Sequence, residues 1–306
     1  MASADATWTN SWLRCTLLPY HSKSSGRGSE TVSSPQLSIT PCSPHVGAEI
    51  GNIDLTNPLS DLQTKALRSA FVQYGVIFFR DQDLSNEDQM RLASYFGHVH
   101  VHVGGKGTAS KPVEGFPAIR RQHFDKNSKR ISGEVWHSDQ SCADIPPDGS
   151  LLIQKILPPD GGGDTLFSSA AAAYDNLSAQ MKAYLEPLSA VHDGAKLFDS
   201  VDGKVHPRAT HPVIITHPDT KRKVLFVNKG FTTHIEGVQR DESDAILNYL
   251  YDHIAKPHWQ MRFRWQPNSI AFWDNRSTQH FAIWDYWPNV RSGDRVQFEG
   301  VARPAK

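Results

Sequence analysis

The chain has 306 residues, enough for one large domain that buries a sizeable core. Lys plus Arg and Asp plus Glu both number 32, so the net charge gives no reason to expect nucleic acid or an anionic membrane as a partner. No apolar run approaches the length of a membrane span. The three cysteines, Cys15, Cys42 and Cys142, lack metal-ligand spacing and cannot all pair, which favours a reducing, cytoplasmic location.

Residues 1–36 are predicted to form a mobile N-terminal extension. They combine Ser, Gly and basic residues with little apolar periodicity. A transit peptide remains an alternative, although Asp5 and Glu30 interrupt the basic character. The folded domain is therefore expected to span residues 37–306.

The first part of this domain alternates strands and helices. A half-buried strand is expected at 37–40, and a helix at 59–74 is ended by Gly75. An apolar strand follows at 76–82, and Ser85 opens a second helix with Asp88 as its capping-box partner.

The run 98–102 places three imidazoles on one face of an expected strand. Three His residues suit zinc, but the outer two lie about 13 Å apart on a flat strand, too far for one ion. Only His102 is retained, as a candidate for a ligand pocket. Residues 103–130 lack apolar periodicity and are predicted to be a long loop of the lid or binding type.

The rest of the chain is rich in short strands. Helices are expected at 171–188 and 241–254, and a polar loop at 199–209. Strands are expected at 150–157, from 165, and at 211–218, 223–228, 259–265, 269–273 and 295–301. This pattern predicts a mainly β protein with helices (α+β), a sandwich or barrel decorated by helices.

His137 and Asp139 are the centre of a candidate metal site. On an extended strand, residues two apart share a face, so both side chains can reach one cation while Ser138 points away. An isolated H-x-D pair is most often a simple hydrogen-bonded pair, but His280 lies in a second motif-like run and supplies a third ligand. Two imidazoles and one carboxylate leave open positions, which suits Fe(II) that must also bind a cosubstrate and O₂.

These residues lie in stretches that closely resemble the taurine dioxygenase (TauD/TfdA) family of Fe(II)- and 2-oxoglutarate-dependent dioxygenases. The similarity runs from about Leu37 to Gly300. Its most specific stretches are Leu37-Ser38-Ile39-Thr40-Pro41, Trp136-His137-Ser138-Asp139, Gly161-Gly162-Gly163-Asp164-Thr165-Leu166, the run 225–233, and Trp273-Asp274-Asn275-Arg276-Ser277-Thr278-Gln279-His280.

The resemblance implies a double-stranded β-helix (jelly roll) with His137, Asp139 and His280 as iron ligands. It implies that Arg295 and Thr165 contact the distal carboxylate of 2-oxoglutarate, with Arg291 as a second family arginine nearby. The chemistry agrees, because a carboxylate is best held by the planar, permanently charged fork of Arg.

On the substrate side, the resemblance matches His102 to a sulfonate-binding His and Phe198 and Phe231 to aromatic walls. Gln140 is added to the predicted substrate contacts. The family's groups near the taurine amine fall on Gly133 and Gly105, which offer no side-chain acceptor. The sequence therefore predicts an anionic substrate with an apolar or bulkier tail in the space that these glycines leave.

The predicted function is oxidation of a small sulfonate, alkyl sulfate or carboxylate, coupled to conversion of 2-oxoglutarate to succinate and CO₂. The alternatives are taurine dioxygenase proper, a zinc hydrolase that uses the same three ligands, and a non-catalytic jelly-roll binding protein. The resemblance also implies a homo-oligomer, a dimer or a tetramer.

Overall fold

The computed structural model describes residues 36–103, 110–199 and 205–306. The strands are β1 (Ser38–Pro41), β2 (Ala48–Gly51), β3 (Val76–Phe79), β4 (Lys111–Val113), β5 (Phe116–Phe124), β6 (Gly149–Ile156), β7 (Thr165–Ser169), β8 (Ser189–Asp193), β9 (Arg208–Pro212), β10 (Ile214–Thr216), β11 (Lys223–Leu225), β12 (Thr232–Ile235), β13 (Gln260–Phe263), β14 (Ile270–Asp274), β15 (Thr278–Ala282) and β16 (Arg291–Phe298). The α-helices are α1 (Asp61–Tyr74), α2 (Asn86–Ser94), α3 (Ala170–Asp175), α4 (Ala179–Leu185) and α5 (Arg240–Ile254), and short 3₁₀ turns lie at Gly194–Lys196 and Pro257–Trp259. The predicted class, mainly β with helices, is confirmed.

The strands form one large sheet and three small ones. The large sheet has the order β1-β2-β3-β14-β6-β16-β5-β4, and a three-stranded sheet has the order β13-β7-β15. Strands β12-β8-β9 and the pair β10-β11 build the remaining two. In the large sheet β14 lies between β3 and β6, and β16 lies between β6 and β5, so strands from the end of the chain pair with strands from its first half.

One apolar core lies between the large sheet and the β13-β7-β15 sheet, and a larger one lies where α1 and α2 pack against the large sheet. Phe78 of β3 stacks on Phe263 of β13 with ring centroids 4.0 Å apart, and Phe167 of β7 packs against both Phe78 and Trp273. These side chains are almost fully buried. Truncating a buried aromatic residue such as Phe78 to Ala costs about 3–5 kcal/mol, so this layer holds the two sheets together.

Helix α1 ends at the predicted Gly75 and α2 begins after the predicted cap Ser85, whereas α1 begins two residues later than predicted. Ser60 caps α1 in a capping box with Gln63, and Gly75 ends the helix at φ 71° with its N–H donating to the Phe71 carbonyl at 2.9 Å. Glycine adopts this left-handed conformation without strain. Ser85 and Asp88 form the capping box of α2.

The helix predicted at 171–188 is instead two helices, α3 and α4. The Asn176 side chain donates to the Ala172 carbonyl, and the Ser178 hydroxyl accepts from Met181 N–H and caps the second helix. Such short polar side chains compete with the backbone for hydrogen bonds and therefore interrupt a helix.

Two further predictions between residues 98 and 130 are wrong. Residues 98–102 do not form a strand but make an isolated bridge, Val99 with Phe298. The predicted loop 103–130 contains β4 and β5, and β5 pairs with β16. Its apolar periodicity is hidden because Arg120 and Gln122 lie on its buried face, toward the polar interior. Similarly, the expected polar loop 199–209 ends early, at the start of β9.

Two further predictions concern the N-terminal extension and membrane-spanning segments. The predicted extension 1–36 lies outside the described residues, except for Gln36, and remains a prediction. Among the described residues, no helix is both long and apolar enough to cross a membrane.

Candidate metal and substrate site

His137 and His280 are joined by two backbone hydrogen bonds. His137 N–H donates to the His280 carbonyl at 3.1 Å, and His280 N–H donates to the His137 carbonyl at 2.9 Å. This bridge attaches the loop that carries His137 to the edge of β15 and sets the imidazoles with centroids 4.1 Å apart. Ligand atoms of His137, Asp139 and His280 all lie within 4.8 Å of one another.

The predicted extended strand at 137–139 is wrong, although the predicted convergence of the side chains is found. His137 forms only the isolated bridge, and the chain then turns at Asp139 and Gln140, where Gln140 has φ 50°. Ser138 points away from the other two side chains, as expected, and its hydroxyl donates to the Asn275 carbonyl.

Both imidazoles present Nε2 to the same oxygen of Asp139. Nε2 of His137 lies 3.6 Å from Oδ1, and Nε2 of His280 lies 4.0 Å from it. His137 Nδ1–H donates to the Val135 carbonyl at 2.8 Å, which leaves the lone pair on Nε2. Burial and the neighbouring His137 hold the pKa of His280 well below its usual range, so this imidazole is neutral.

Asp139 is surrounded by donors. Its Oδ2 accepts from Ser150 Oγ at 2.6 Å and from Gln297 Nε2 at 3.1 Å, and its Oδ1 accepts from Arg295 at 2.8 Å. Burial opposes its ionisation, but the Arg295 guanidinium and the two imidazoles outweigh burial and hold the pKa of Asp139 well below its usual range. The carboxylate is therefore ionised at neutral pH.

Two cavities adjoin these three side chains. The larger one, of about 290 Å³, is lined by His102, Ser110, Arg130, Ile131, Ser132, Gly133, Glu134, Val135, His137, Asp139, Gln140, Lys196, Leu197, Phe198, Phe231 and Arg295. The smaller one, of about 30 Å³, is lined by Gln122, Ser132, Gly133, His137, Leu152, Thr165, Trp273, His280, Ala282, Arg291 and Arg295. His137 and Arg295 border both cavities, so the metal-site residues lie between the two spaces.

Thr165 and Arg291 face the smaller cavity. Thr165 Oγ1 accepts from Trp265 Nε1 at 3.0 Å, and the Arg291 guanidinium lies over the Trp265 ring, 5.8 Å from its centroid. Arg291 is 3% exposed, and its Nε has no hydrogen-bond partner among the described residues. Burial lowers the pKa of Arg291, yet an arginine stays charged at neutral pH. A buried cation with an unused donor fits an anionic ligand.

His102, Phe198 and Phe231 come together in the larger cavity, as the sequence predicts. The Phe198 ring lies 5.5 Å from the His102 ring and 5.6 Å from the Phe231 ring. Burial and Arg295 lower the pKa of His102 to about 3, so this residue offers hydrogen bonding without charge. Arg295 is then the cation beside it.

The structure differs from the expectations for two residues on the substrate side, Gln140 and Gly133. Gln140 lines the larger cavity, but its amide is directed to Val103 N–H and to Gln297. Gly133 lines both cavities, but a Cβ at this residue, whose φ is 85°, would lie 3.0 Å from His137 Cε1. The glycine at 133 therefore allows the backbone to approach the imidazole closely. Gly105 lies outside the described residues.

Sequence reasoning missed the polar side chains that surround Asp139. Ser150 and Gln297 both donate to its Oδ2, and Lys196 lines the larger cavity. Gln297 was detectable, since it lies two residues after Arg295 and so shares its face of β16. Ser150 and Lys196 carry no comparable signal.

Two imidazole nitrogens and one carboxylate oxygen, converging between a small anion-compatible cavity and a larger one, form the donor set of a mononuclear non-haem Fe(II) oxygenase. The residues fit such an ion, since both imidazoles are oriented through Nε2 and the carboxylate is ionised.

Comparisons with known proteins agree with this class. The family model "Taurine catabolism dioxygenase TauD, TfdA family" matches residues 38–297. A Penicillium expansum alpha-ketoglutarate-dependent dioxygenase, cnsM, is 36% identical over 80% of this chain and 72% of that protein. An Acinetobacter baylyi protein named alkylsulfatase is 29% identical over 87% of this chain and 86% of that protein. A solved taurine dioxygenase from Burkholderia xenovorans has a TM-score of 0.75 at 32% identity, covering 87% of this chain and 92% of that one.

The chain belongs to the TauD/TfdA dioxygenase family. This confirms the predicted family, the jelly-roll fold class and the oxidoreductase class.

Proposed function

We propose that the protein is an Fe(II)- and 2-oxoglutarate-dependent dioxygenase that oxidises a small anionic organic substrate. The observation that carries this proposal is the convergence of His137, Asp139 and His280 within 4.8 Å, between two cavities that both border Arg295. The relatives described above include an alpha-ketoglutarate-dependent dioxygenase and a protein named alkylsulfatase, which supports both the cosubstrate and the substrate class.

His137, Asp139 and His280 would hold the metal, with Nε2 of each imidazole and Oδ1 of the carboxylate as the donor atoms. When bound, Fe(II) supplies the activation of O₂ that couples decarboxylation of 2-oxoglutarate to oxidation of a substrate C–H bond. The Val135 carbonyl orients the His137 imidazole, packing on Trp273 at 4.6 Å between centroids orients His280, and burial keeps His280 neutral.

Arg291 and Thr165 would hold the distal carboxylate of 2-oxoglutarate. This assignment differs from the sequence-based expectation, which gave that role to Arg295 with Thr165. The support is that Thr165 and Arg291 line the smaller cavity and are absent from the lining of the larger one. The Nε of each arginine lacks a described partner, but Arg295 already donates to Asp139, whereas Arg291 makes no described hydrogen bond to a metal-site side chain. A planar guanidinium beside a hydroxyl suits a carboxylate.

The substrate would lie in the larger cavity with its anionic head near His102 and Arg295. His102 is neutral, so the charge that attracts the head comes from the cations that line the cavity, Arg295, Arg130 and Lys196. Phe198, Phe231 and Leu197 line the same cavity and offer an apolar surface for the tail. Sulfonates, alkyl sulfates and carboxylates all fit this arrangement of one anion site and one apolar wall.

Two measurements test the proposal. Fe(II)-loaded protein should show a visible charge-transfer band when 2-oxoglutarate is added without oxygen, and its absence in folded protein would contradict the cosubstrate assignment. A panel of alkylsulfonates, alkyl sulfates, aryloxyacetates and amino acids, scored by substrate-dependent succinate formation and by sulfite release for sulfonates, then tests the substrate class. A binding protein without catalysis would show the band but no substrate-dependent succinate with any member of the panel.

A further inference from the structure

The amide of Gln140 connects two parts of the site that are separate in sequence. Its Oε1 accepts from Val103 N–H at 2.8 Å and lies 3.3 Å from His100 Nε2, so it holds the segment that carries His102. Its Nε2 donates to Gln297 Oε1 at 2.6 Å. Gln140 is 1% exposed, so water does not compete for these bonds.

Gln297 continues this connection to the metal site. Because its Oε1 accepts from Gln140, its Nε2 is turned toward Asp139 Oδ2, at 3.1 Å, and toward Ser150 Oγ, at 2.8 Å. An amide has one acceptor end and one donor end, so the orientation of Gln140 fixes that of Gln297. Ser150 Oγ also accepts from Asn275 Nδ2 at 3.0 Å and donates to Asp139 Oδ2.

The consequence for Asp139 is a division between its two oxygens. Oδ2 accepts from Ser150 and Gln297, whereas Oδ1 faces Nε2 of His137 and of His280 and accepts from Arg295 alone among the described hydrogen bonds. A carboxylate held in this way offers one oxygen to a metal ion instead of two. Hydrogen bonds to a ligating carboxylate of this kind set its orientation, and their loss typically lowers metal affinity about 10- to 100-fold.

The same residue acts on the substrate side. The segment 98–103 runs along β16, with His100 N–H donating to the Gln297 carbonyl at 2.8 Å. Among the described hydrogen bonds, the side-chain amide of Gln140 connects this segment to the turn that contains Asp139. The backbone of Gln140 is held at φ 50°, an unusual conformation for a residue other than glycine, which its burial and its hydrogen bonds maintain.

We infer that Gln140 is a positioning residue that ties the His102 segment to Asp139 through Gln297, and so sets both the substrate cavity and the one-oxygen ligation of the metal. This inference rests on the proposed function, since it assumes that Asp139 ligates the metal and His102 contacts the substrate. It replaces the simpler expectation that Gln140 contacts the substrate directly.

Two substitutions separate the roles of the two ends of the Gln140 amide, the acceptor Oε1 and the donor Nε2. Gln140→Glu keeps an acceptor for Val103 N–H but removes the donor to Gln297, so we expect weaker metal binding, by about 10-fold or more, with little change in substrate KM. Gln140→Met removes both the acceptor for Val103 N–H and the donor to Gln297, so it should weaken metal binding and also raise substrate KM. Gln297→Met should reproduce the metal effect alone.

The effect on metal affinity is measured by adding Co(II) to the apo protein, with calorimetry and the visible d–d spectrum as readouts that need no turnover. The double variant Gln140→Glu/Gln297→Met should bind Co(II) no more weakly than Gln297→Met, because both changes break one path. Ser141→Ala is the matched control. It removes buried hydrogen bonds from the same turn to His192 and Asn228, neither of which is a described hydrogen-bond partner of Asp139, and should lower stability while leaving the Co(II) spectrum unchanged.

The outcomes distinguish the inference from the proposed function. Wild-type protein that binds no Co(II) would overturn both. Wild-type binding with an unchanged affinity and spectrum in Gln140→Glu would overturn the inference alone, as would effects of Gln140→Glu and Gln297→Met that simply add. Melting temperatures of the apo variants show which losses come from unfolding.

Discussion

The guanidinium of Arg295 lies 2.8 Å from Oδ1 of Asp139, the same oxygen that faces Nε2 of both His137 and His280. Arg291, four residues earlier on the same strand, has no contact with Asp139 among the described hydrogen bonds and instead lies over Trp265 beside Thr165. The two arginines therefore have separate environments. One stabilises the ionised metal carboxylate, and the other is a buried cation in the small cavity.

Arg291→Leu should raise the KM for 2-oxoglutarate steeply while Fe(II) still binds. Removing the partner of a buried carboxylate costs about 2–5 kcal/mol. Among the described contacts, Arg291 forms no hydrogen bond or ion pair with the three metal-site side chains. Succinate formation at varied 2-oxoglutarate, with Fe(II) affinity measured in parallel, checks this result. An unchanged 2-oxoglutarate dependence would show that the distal carboxylate binds elsewhere.

Arg295→Leu is the matched variant and should behave differently. We expect a larger increase in the KM of the anionic substrate than in that of 2-oxoglutarate, because Arg295 borders the larger cavity beside His102. Its loss also removes the cation that lowers the pKa of Asp139. If Arg295→Leu instead raises the 2-oxoglutarate KM as strongly as Arg291→Leu should, the pairing of Arg295 with Thr165 expected from the sequence is the correct one.

His137→Ala, Asp139→Ala and His280→Ala should each abolish stoichiometric Fe(II) binding in folded protein. A site with three protein ligands tolerates the loss of none, whereas the aromatic core around Trp273 remains intact. Calorimetric titration with Fe(II) under anaerobic conditions, with near-UV circular dichroism as the folding check, measures this. His102→Ala is the control and should keep metal stoichiometry; full Fe(II) binding by any of the three variants would remove that residue from the ligand set.

Helix ends and the three candidate metal ligands were predictable because each is marked by a short motif in the sequence. The caps at Gly75 and Ser85 depend on neighbouring residues, and the convergence of His137, Asp139 and His280 follows from motifs in the sequence. The failures share a physical cause. The interior of this fold is polar near the metal site, so the buried positions of β5 include Arg120 and Gln122 and do not follow an apolar pattern.

The roles of Gln140, Ser150 and Gln297 were beyond sequence reasoning for a related reason. Each contributes through a hydrogen bond between residues 11 to 158 positions apart, and only the sheet order brings them together. The distinction between Arg291 and Arg295 is similar. Both lie on one face of β16, and only the three-dimensional partition into two cavities separates them.

Asp148→Asn should change the pH dependence of stability. Burial raises the pKa of Asp148 to about 6, because the desolvation of its carboxylate outweighs the attraction of the neighbouring Arg276. Since the folded state holds this proton between about pH 4 and 6 and the unfolded state does not, stability falls as pH rises through that window. The asparagine side chain does not titrate, so the variant should gain about 2–3 kcal/mol relative to wild type between about pH 4 and 7. Denaturant titrations at each pH measure this, and a pH-independent difference would contradict it.

Taurine should be a poorer substrate than an alkylsulfonate of similar length that lacks the amine. Among the described residues that line the larger cavity, only Asp139 and Glu134 are acidic. Asp139 already accepts from Arg295, Ser150 and Gln297, and Glu134 is exposed, where pairing with a cation is worth about 0–1 kcal/mol. The amine would therefore lose its hydration without a compensating partner.

Paired sulfite-release assays with taurine and the amine-free sulfonate measure this preference, and Glu134→Gln tests its origin. The variant should leave the amine-free substrate unaffected and slow taurine only slightly. A wild-type preference for taurine that Glu134→Gln abolishes would show that Glu134 serves as the amine acceptor. A taurine preference that survives in Glu134→Gln would place the acceptor outside the described lining of the cavity, and either result would contradict the predicted selectivity.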